Sequence, residues 1–232
     1  MNSQTWTARE KAFREMPNLA DLAKQDPSET DRLRLGLIRL LTVENETVRN
    51  AKRTGLRFTT EEHSDYYGDL IGAVADLNDK RAIPALLGAI TSGGMATRGL
   101  ARFGEQALTP VLNRLSDPDP LVRASVLWTV RHMLRMGTAS DLSCHARIEA
   151  ALRSSLRDPD FVVRSAAISA VEYLDDRQEF VPTLRELAEH DPERIPGKSD
   201  DGGEHYPVRL EAKRLLEKIA NHESPQIDKG LR

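Results

Sequence analysis

The chain is poor in the features that mark most enzymes and membrane proteins. It has one cysteine, Cys144, which excludes an intrachain disulfide and any cysteine-rich metal site. No apolar run approaches the ~18 residues of a membrane helix. The stretch Met1 to Met16 is polar and charged with no apolar h-region, so no secretory signal is expected and a cytoplasmic location is. There is no glycine-rich phosphate loop, no nucleophile elbow and no two-histidine zinc helix. Gly93-Gly94 reads as a helix terminator. Neither sign of charge prevails: the net charge is −3 over 232 residues. A dedicated nucleic-acid binder is more often basic, because phosphate contacts supply most of its affinity. No strand-like run is present. What remains, 39% hydrophobic and 30% charged residues, suffices for a packed interior under a well-solvated surface.

Against that background two stretches are nearly identical. Asp117-Pro118-Asp119-Pro120-Leu121-Val122-Arg123 is followed by Asp158-Pro159-Asp160-Phe161-Val162-Val163-Arg164, and a fainter copy runs Tyr206-Pro207-Val208-Arg209. The arginines fall 41 and then 45 residues apart, the period of stacked helix-pair units. The apolar spacing repeats with the motif. Val122, Val126, Thr129, Val130 and Met133 share one helix face; the shifted sets are Val163, Ala167, Ala170, Val171 and Leu174, then Val208, Ala212, Leu215, Leu216 and Ile219.

Each of these helices has a predecessor. Glu105–Leu115 carries Leu108, Val111, Leu112 and Leu115. Asp141–Leu156 carries Leu142, Ile148, Ala151, Leu152 and Leu156, and Phe180–Ala188 carries Val181, Leu184 and Leu187. Arg81–Ile90 leads into a short helix at Ala96–Phe103. Further back, helices are expected over Thr7–Lys24, Asp31–Val43 and Glu61–Leu77, with a polar, basic helix extension and loop over Glu44–Thr60. The expected fold is therefore all-α, an α-solenoid of about five to six stacked antiparallel helix pairs, since one pair cannot bury both apolar faces and a stack can. Its parts are an N-terminal capping region (1–60), a repeat array (61–222) with a polar insertion at Asp191–His205, and a tail (223–232).

The Asp-Pro-Asp-x-x-Val-Arg pattern between two amphipathic helices resembles the HEAT repeat, in particular the bacterial HEAT-like, PBS-lyase type. The resemblance is strongest over Glu105–Leu174. It implies a ladder in which an aspartate and the arginine six positions on tie neighbouring units together, here Asp117 with Arg123 and Asp158 with Arg164. Six before Arg209 stands Gly203, and six before Arg98 stands Ser92; the ladder is thus expected to break at both ends, where terminal units cap the array.

The resemblance also implies that the second helix of each unit lines a concave surface. On that face the spacing sets Ala124, Trp128, Arg131 and Arg135, with Phe103 in the matching place before them. Ser165, Ser169 and Glu172, then Leu210, Arg214 and Glu217, follow. Tryptophan and arginine are enriched at binding hot spots. Phe103, Trp128, Arg131, Arg135, Glu172 and Arg214 are accordingly the candidate partner-binding residues, for a protein or peptide. Catalytic and metal readings are weaker. The pairs Glu62-His63, Glu189-His190 and Glu204-His205 reverse the His-Glu order by which the HEAT-like deoxyhypusine hydroxylases bind iron; His222-Glu223 keeps it but sits in the tail. Cys144 and His145 are adjacent on a helix and point about 100° apart, which makes no nucleophile–base dyad. The basic run Arg49, Lys52, Arg53 and Arg57, with Arg32, Arg34 and Arg39 before it, reads as an exposed helix end. Some HEAT-like proteins are DNA glycosylases or bilin lyases, so those two activities stand as alternatives to a non-enzymatic scaffold with no cofactor and no metal.

Overall fold

The computed structural model describes residues 3–16, 26–53, 61–195 and 205–221. Among them are eleven α-helices, three short 3-10 turns and no strand. The chain divides into two compact units, residues 1–100 and 101–232.

The first unit contains α1 (Ser3–Arg14), α2 (Pro27–Arg53), α3 (Glu61–Asp76) and α4 (Ile83–Gly88), and the division falls within α5 (Gly94–Arg102). The first expected helix, Thr7–Lys24, begins earlier and ends at Arg14, with Glu15 and Met16 already out of it, and its residues 17–24 lie outside the described residues. Helix α2 starts where Pro27 can occupy the first helical position and Asp26 Oδ1 accepts the Glu29 amide at 2.9 Å. It then runs unbroken to Arg53, well into the stretch expected to hold a loop. The buried stripe explains this: Leu37, Ile38 and Leu41 are followed at helical spacing by Glu44, Asn45 and Val48, all buried. The two polar members are satisfied. Glu44 accepts Arg9 Nε at 2.5 Å, Arg9 Nη2 at 3.2 Å and the Tyr66 hydroxyl at 3.2 Å. Asn45 accepts the Tyr67 hydroxyl at 2.6 Å and donates to the Ala85 carbonyl at 2.7 Å. Burial pushes the Tyr66 hydroxyl far above the usual tyrosine range, with the Glu44 charge adding to it. Gly88 is required by this contact, since a Cβ there would stand 2.5 Å from Asn45 Nδ2.

The second unit holds α6 (Glu105–Leu112), α7 (Pro120–Met136), α8 (Leu142–Ser155), α9 (Phe161–Val171), α10 (Val181–His190) and α11 (Pro207–Ala220). Helix α7 packs on α9, and α9 on α11, so the three second helices form a row; α6 touches α7 and α8, α8 touches α9, and α10 touches α11. The three repeated apolar stripes are buried, with Leu216 only half-buried. Each buried Val, Leu, Ile or Met among them contributes about 2 kcal/mol of transfer free energy, so these stripes hold the row together. Leu142 departs from expectation: it is 90% exposed. It is the first residue of α8, directly after the Asp141 cap, and the buried side of that helix begins with Cys144.

The Asp-Pro-Asp turns have a local cause. The first aspartate closes an Asx turn: Asp117 Oδ1 accepts the Asp119 amide at 3.0 Å and Asp158 Oδ1 the Asp160 amide at 2.9 Å. The second aspartate caps the next helix, Asp119 accepting from Leu121 and Asp160 from Val162, each at 2.9 Å. Gly137 ends α7 in the left-handed region at φ 64°, and the Thr138 amide returns to the Met133 carbonyl at 3.0 Å.

Candidate interaction surface

The first turn of each second helix fixes its neighbours through arginine. Arg123 grips the carboxylate of Asp158, in the next turn, with Nε at 2.9 Å and Nη2 at 2.8 Å. Its Nη1 donates to the carbonyls of Asp117 at 2.9 Å and Pro118 at 3.2 Å. Arg164 repeats the pattern one unit on, with Asp191 at 2.7 and 3.0 Å and with the carbonyls of Asp158 at 2.8 Å and Pro159 at 2.9 Å. The carboxylate partner is thus always the aspartate of the following turn. The aspartate six residues before each arginine supplies only a carbonyl to it, and the Asp117 carboxylate pairs with Arg114 at 2.8 Å.

Asp191 corrects the expectation that the ladder ends at Arg164. Asp191-Pro192-Glu193 is a third turn of the same kind, with Asp191 Oδ1 accepting the Glu193 amide at 3.0 Å and the Asp191 carbonyl accepting Arg209 Nε at 2.7 Å. It stands eighteen residues before Arg209, where Asp117 and Asp158 stand six before their arginines. The extra residues leave and return through a reciprocal bridge, Ile195 amide to His205 carbonyl at 2.8 Å and the reverse at 3.3 Å. At the other end Arg98 donates to the Gly94 carbonyl of its own helix, at 3.1 Å.

Five residues beyond Arg123 of the ladder, α7 presents Trp128, 37% exposed. The Arg131 guanidinium lies over the Trp128 ring at 5.5 Å and over the Tyr173 ring at 5.0 Å, and its Nη2 donates to the Tyr173 hydroxyl at 3.2 Å. The cation is thereby held between two aromatic faces contributed by neighbouring units. Tyr173 lies one residue past Glu172, the position to which Arg131 maps under the shift of 41; it was not singled out in the sequence, and its place one step off the repeat was the signal. Arg135 is half-buried. Glu172 pairs with Lys218 of α11 at 2.7 Å, and Arg214 is exposed. Glu172 and Arg214 also border a cleft of about 440 Å³ between α9 and α11.

Two expected members of this face are inside. Phe103 is 7% exposed, because it follows the last residue of α5 in a turn and does not continue that helix's outer side. Ala124 is 2% exposed, because α7 is flanked by both α6 and α9 and its buried arc is wide. Ser165, Ser169, Leu210 and Glu217 reach solvent in part or fully.

Among the described residues the other candidates do not assemble. Arg49 and Arg53 are exposed at the end of α2; Arg57 and the Lys52 side chain lie outside the described residues, as do Glu204 and the His222-Glu223 pair. Glu189 and His190 are exposed. Cys144 is buried at 4% with Glu105 and Asp141 near its sulfur. Asp141 caps α8, accepting the Cys144 amide at 2.6 Å. Burial, then the Asp141 and Glu105 charges, push the thiol up, away from the thiolate that nucleophilic attack needs. No helix among the described residues is long and apolar enough to cross a membrane.

No curated protein matches the chain. A family model does: residues 107–136, which take in most of α6, the Asp117–Asp119 turn and all of α7, match the HEAT repeat, so that helix pair is similar to a HEAT unit.

Proposed function

We propose that the protein is a non-enzymatic scaffold that binds a peptide or protein partner on the face formed by α7, α9 and α11. HEAT repeats commonly mediate protein–protein interaction. In this reading the helix pairs of the second unit stack as an antiparallel α-solenoid, their second helices line its concave side, and Trp128, Arg131, Arg135, Glu172 and Arg214 meet the partner. The observation that carries it is the cation held between Trp128 and Tyr173. An arginine so fixed, beside a tryptophan with a third of its surface open, presents large contact area with little side-chain entropy left to lose.

The test is affinity capture from the native cell with mass spectrometry, comparing the wild-type chain with a Trp128→Ala, Arg131→Ala variant of equal thermal stability. The reading expects a partner recovered by the first and lost from the second. Equal recovery by both would remove the face, and no specific partner with either would remove the role.

A further inference from the structure

The cleft between α9 and α11 has an uneven charge balance. Glu172 and Lys218 neutralise each other across it at 2.7 Å. The other charged groups lining it are Glu211, Glu217 and Arg214, which leave one negative charge in excess. Arg214 stands three residues from each of those glutamates on α11, yet it is exposed and makes no ion pair among the described residues. Glu211 is half-buried, and its Oε2 is shut off from solvent with no hydrogen-bond donor among the described residues. The other oxygen is likewise without a donor among the described residues but is not closed off, so it is the one that a group in the cleft can reach. Ile168 and Leu215 supply apolar wall to the same cleft.

We propose that this cleft receives the cationic side chain of an arginine or lysine from the bound polypeptide. The charged head meets the Glu211 carboxylate, and the methylene stem lies along Ile168 and Leu215, the arrangement long basic side chains favour. An acidic side chain would add a second uncompensated negative charge, and a neutral one would leave Glu211 unpaired. The proposal takes the source of the side chain from the scaffold reading; the chemistry of the cleft is independent of it.

The experiment uses the full chain and four capped pentapeptides, identical but for a central arginine, lysine, citrulline or glutamate. Binding is followed by amide chemical shifts. Arginine and lysine peptides are expected to give saturable shifts at residues 168–172 and 211–218. Citrulline, which keeps the shape of arginine without its charge, should bind about tenfold more weakly, and glutamate not at all. Glu211→Gln should weaken the arginine peptide by about tenfold, while Glu189→Gln, the same charge change at an exposed site on α10, should not. Equal binding of arginine and citrulline, an absence of saturable shifts in those segments, or equal effects of the two glutamine variants would each overturn the assignment. If capture by the Trp128 face fails while the arginine peptide saturates the cleft, the scaffold reading falls and the cleft chemistry stands. If a partner is captured and the cleft stays silent, the reverse holds.

Discussion

Arg164 is the most demanding test of how the second unit is held. Replacing it with methionine keeps the aliphatic stem and deletes the fork. The side chain of Asp191 is 1% exposed. Without Arg164 its carboxylate keeps the Glu193 amide, while the Asp158 and Pro159 carbonyls lose a charged donor. Removing one member of a buried ion pair costs about 3–5 kcal/mol, because the other charge stays behind without compensation. The homologous change Arg123→Met strands Asp158, whose side chain is 13% exposed and can take up water; there the loss should be about 1–3 kcal/mol. Urea unfolding followed by circular dichroism should therefore rank Arg164→Met below Arg123→Met, with unchanged m-values. The double variant Arg164→Met, Asp191→Leu should recover much of the loss, since it removes the stranded charge as well. A cost for Arg164→Met under about 1 kcal/mol would show that the apolar stripes alone set the stacking, and one no larger than that of Arg123→Met would show that burial of the stranded carboxylate does not set the loss.

Two further outcomes follow from buried charge. Arg9→Met should release α1 from Glu44, whose side chain is fully buried, at a cost of about 3 kcal/mol; hydrogen exchange should then quicken at residues 3–14 and be unaltered over α7 to α11. The second concerns acid. Burial works against the charge on Asp158, but hydrogen bonds from Arg123 and the Asp160 amide, with the charges of Arg123 and Arg164, hold its carboxyl below the ordinary value. Its stabilising contribution is complete above the unfolded value of ~3.9 and is lost as pH falls through the lower folded one. Stability measured from pH 5 to 2 should decline less steeply in Asp158→Asn than in the wild type.

The repeated units were legible in the sequence because two signals coincide in them, the Asp-Pro-Asp turn and an aliphatic stripe of helical period. Where only one is present the reading weakened. In α2 the stripe continues through Glu44 and Asn45, which look like solvent residues until Arg9, Tyr66, Tyr67 and the Ala85 carbonyl are seen to satisfy them. Those partners come from elsewhere in the unit, so local periodicity cannot announce them. Trp128 and Arg131 were placed on an accessible side by counting residues. Counting failed for Phe103 and Ala124 because it assumes a helix that continues and a buried arc of fixed width. Asp191 was hidden by distance in sequence alone, since its spacing to Arg209 no longer matches the motif.

That last case shows how the repeat tolerates extra chain. An insertion within a helix would rotate every residue after it off the buried stripe, and one inside Asp158–Arg164 would have to keep both the Asp158 and Pro159 carbonyls within reach of Arg164. In the next repeat Asp191 stays fixed at the end of α10, where Arg164 from the preceding repeat takes its carboxylate and Arg209 takes its carbonyl. Neither bond depends on how many residues lie between Asp191 and Pro207, provided both ends of the extra segment come back together. The Ile195–His205 bridge brings them together. The stacking contacts sit in the first turn of each second helix and the exposed aromatic and charged groups one to three turns further along. Each repeat can therefore vary its exposed side chains, or lengthen its turn, without disturbing the contacts that hold it to the next.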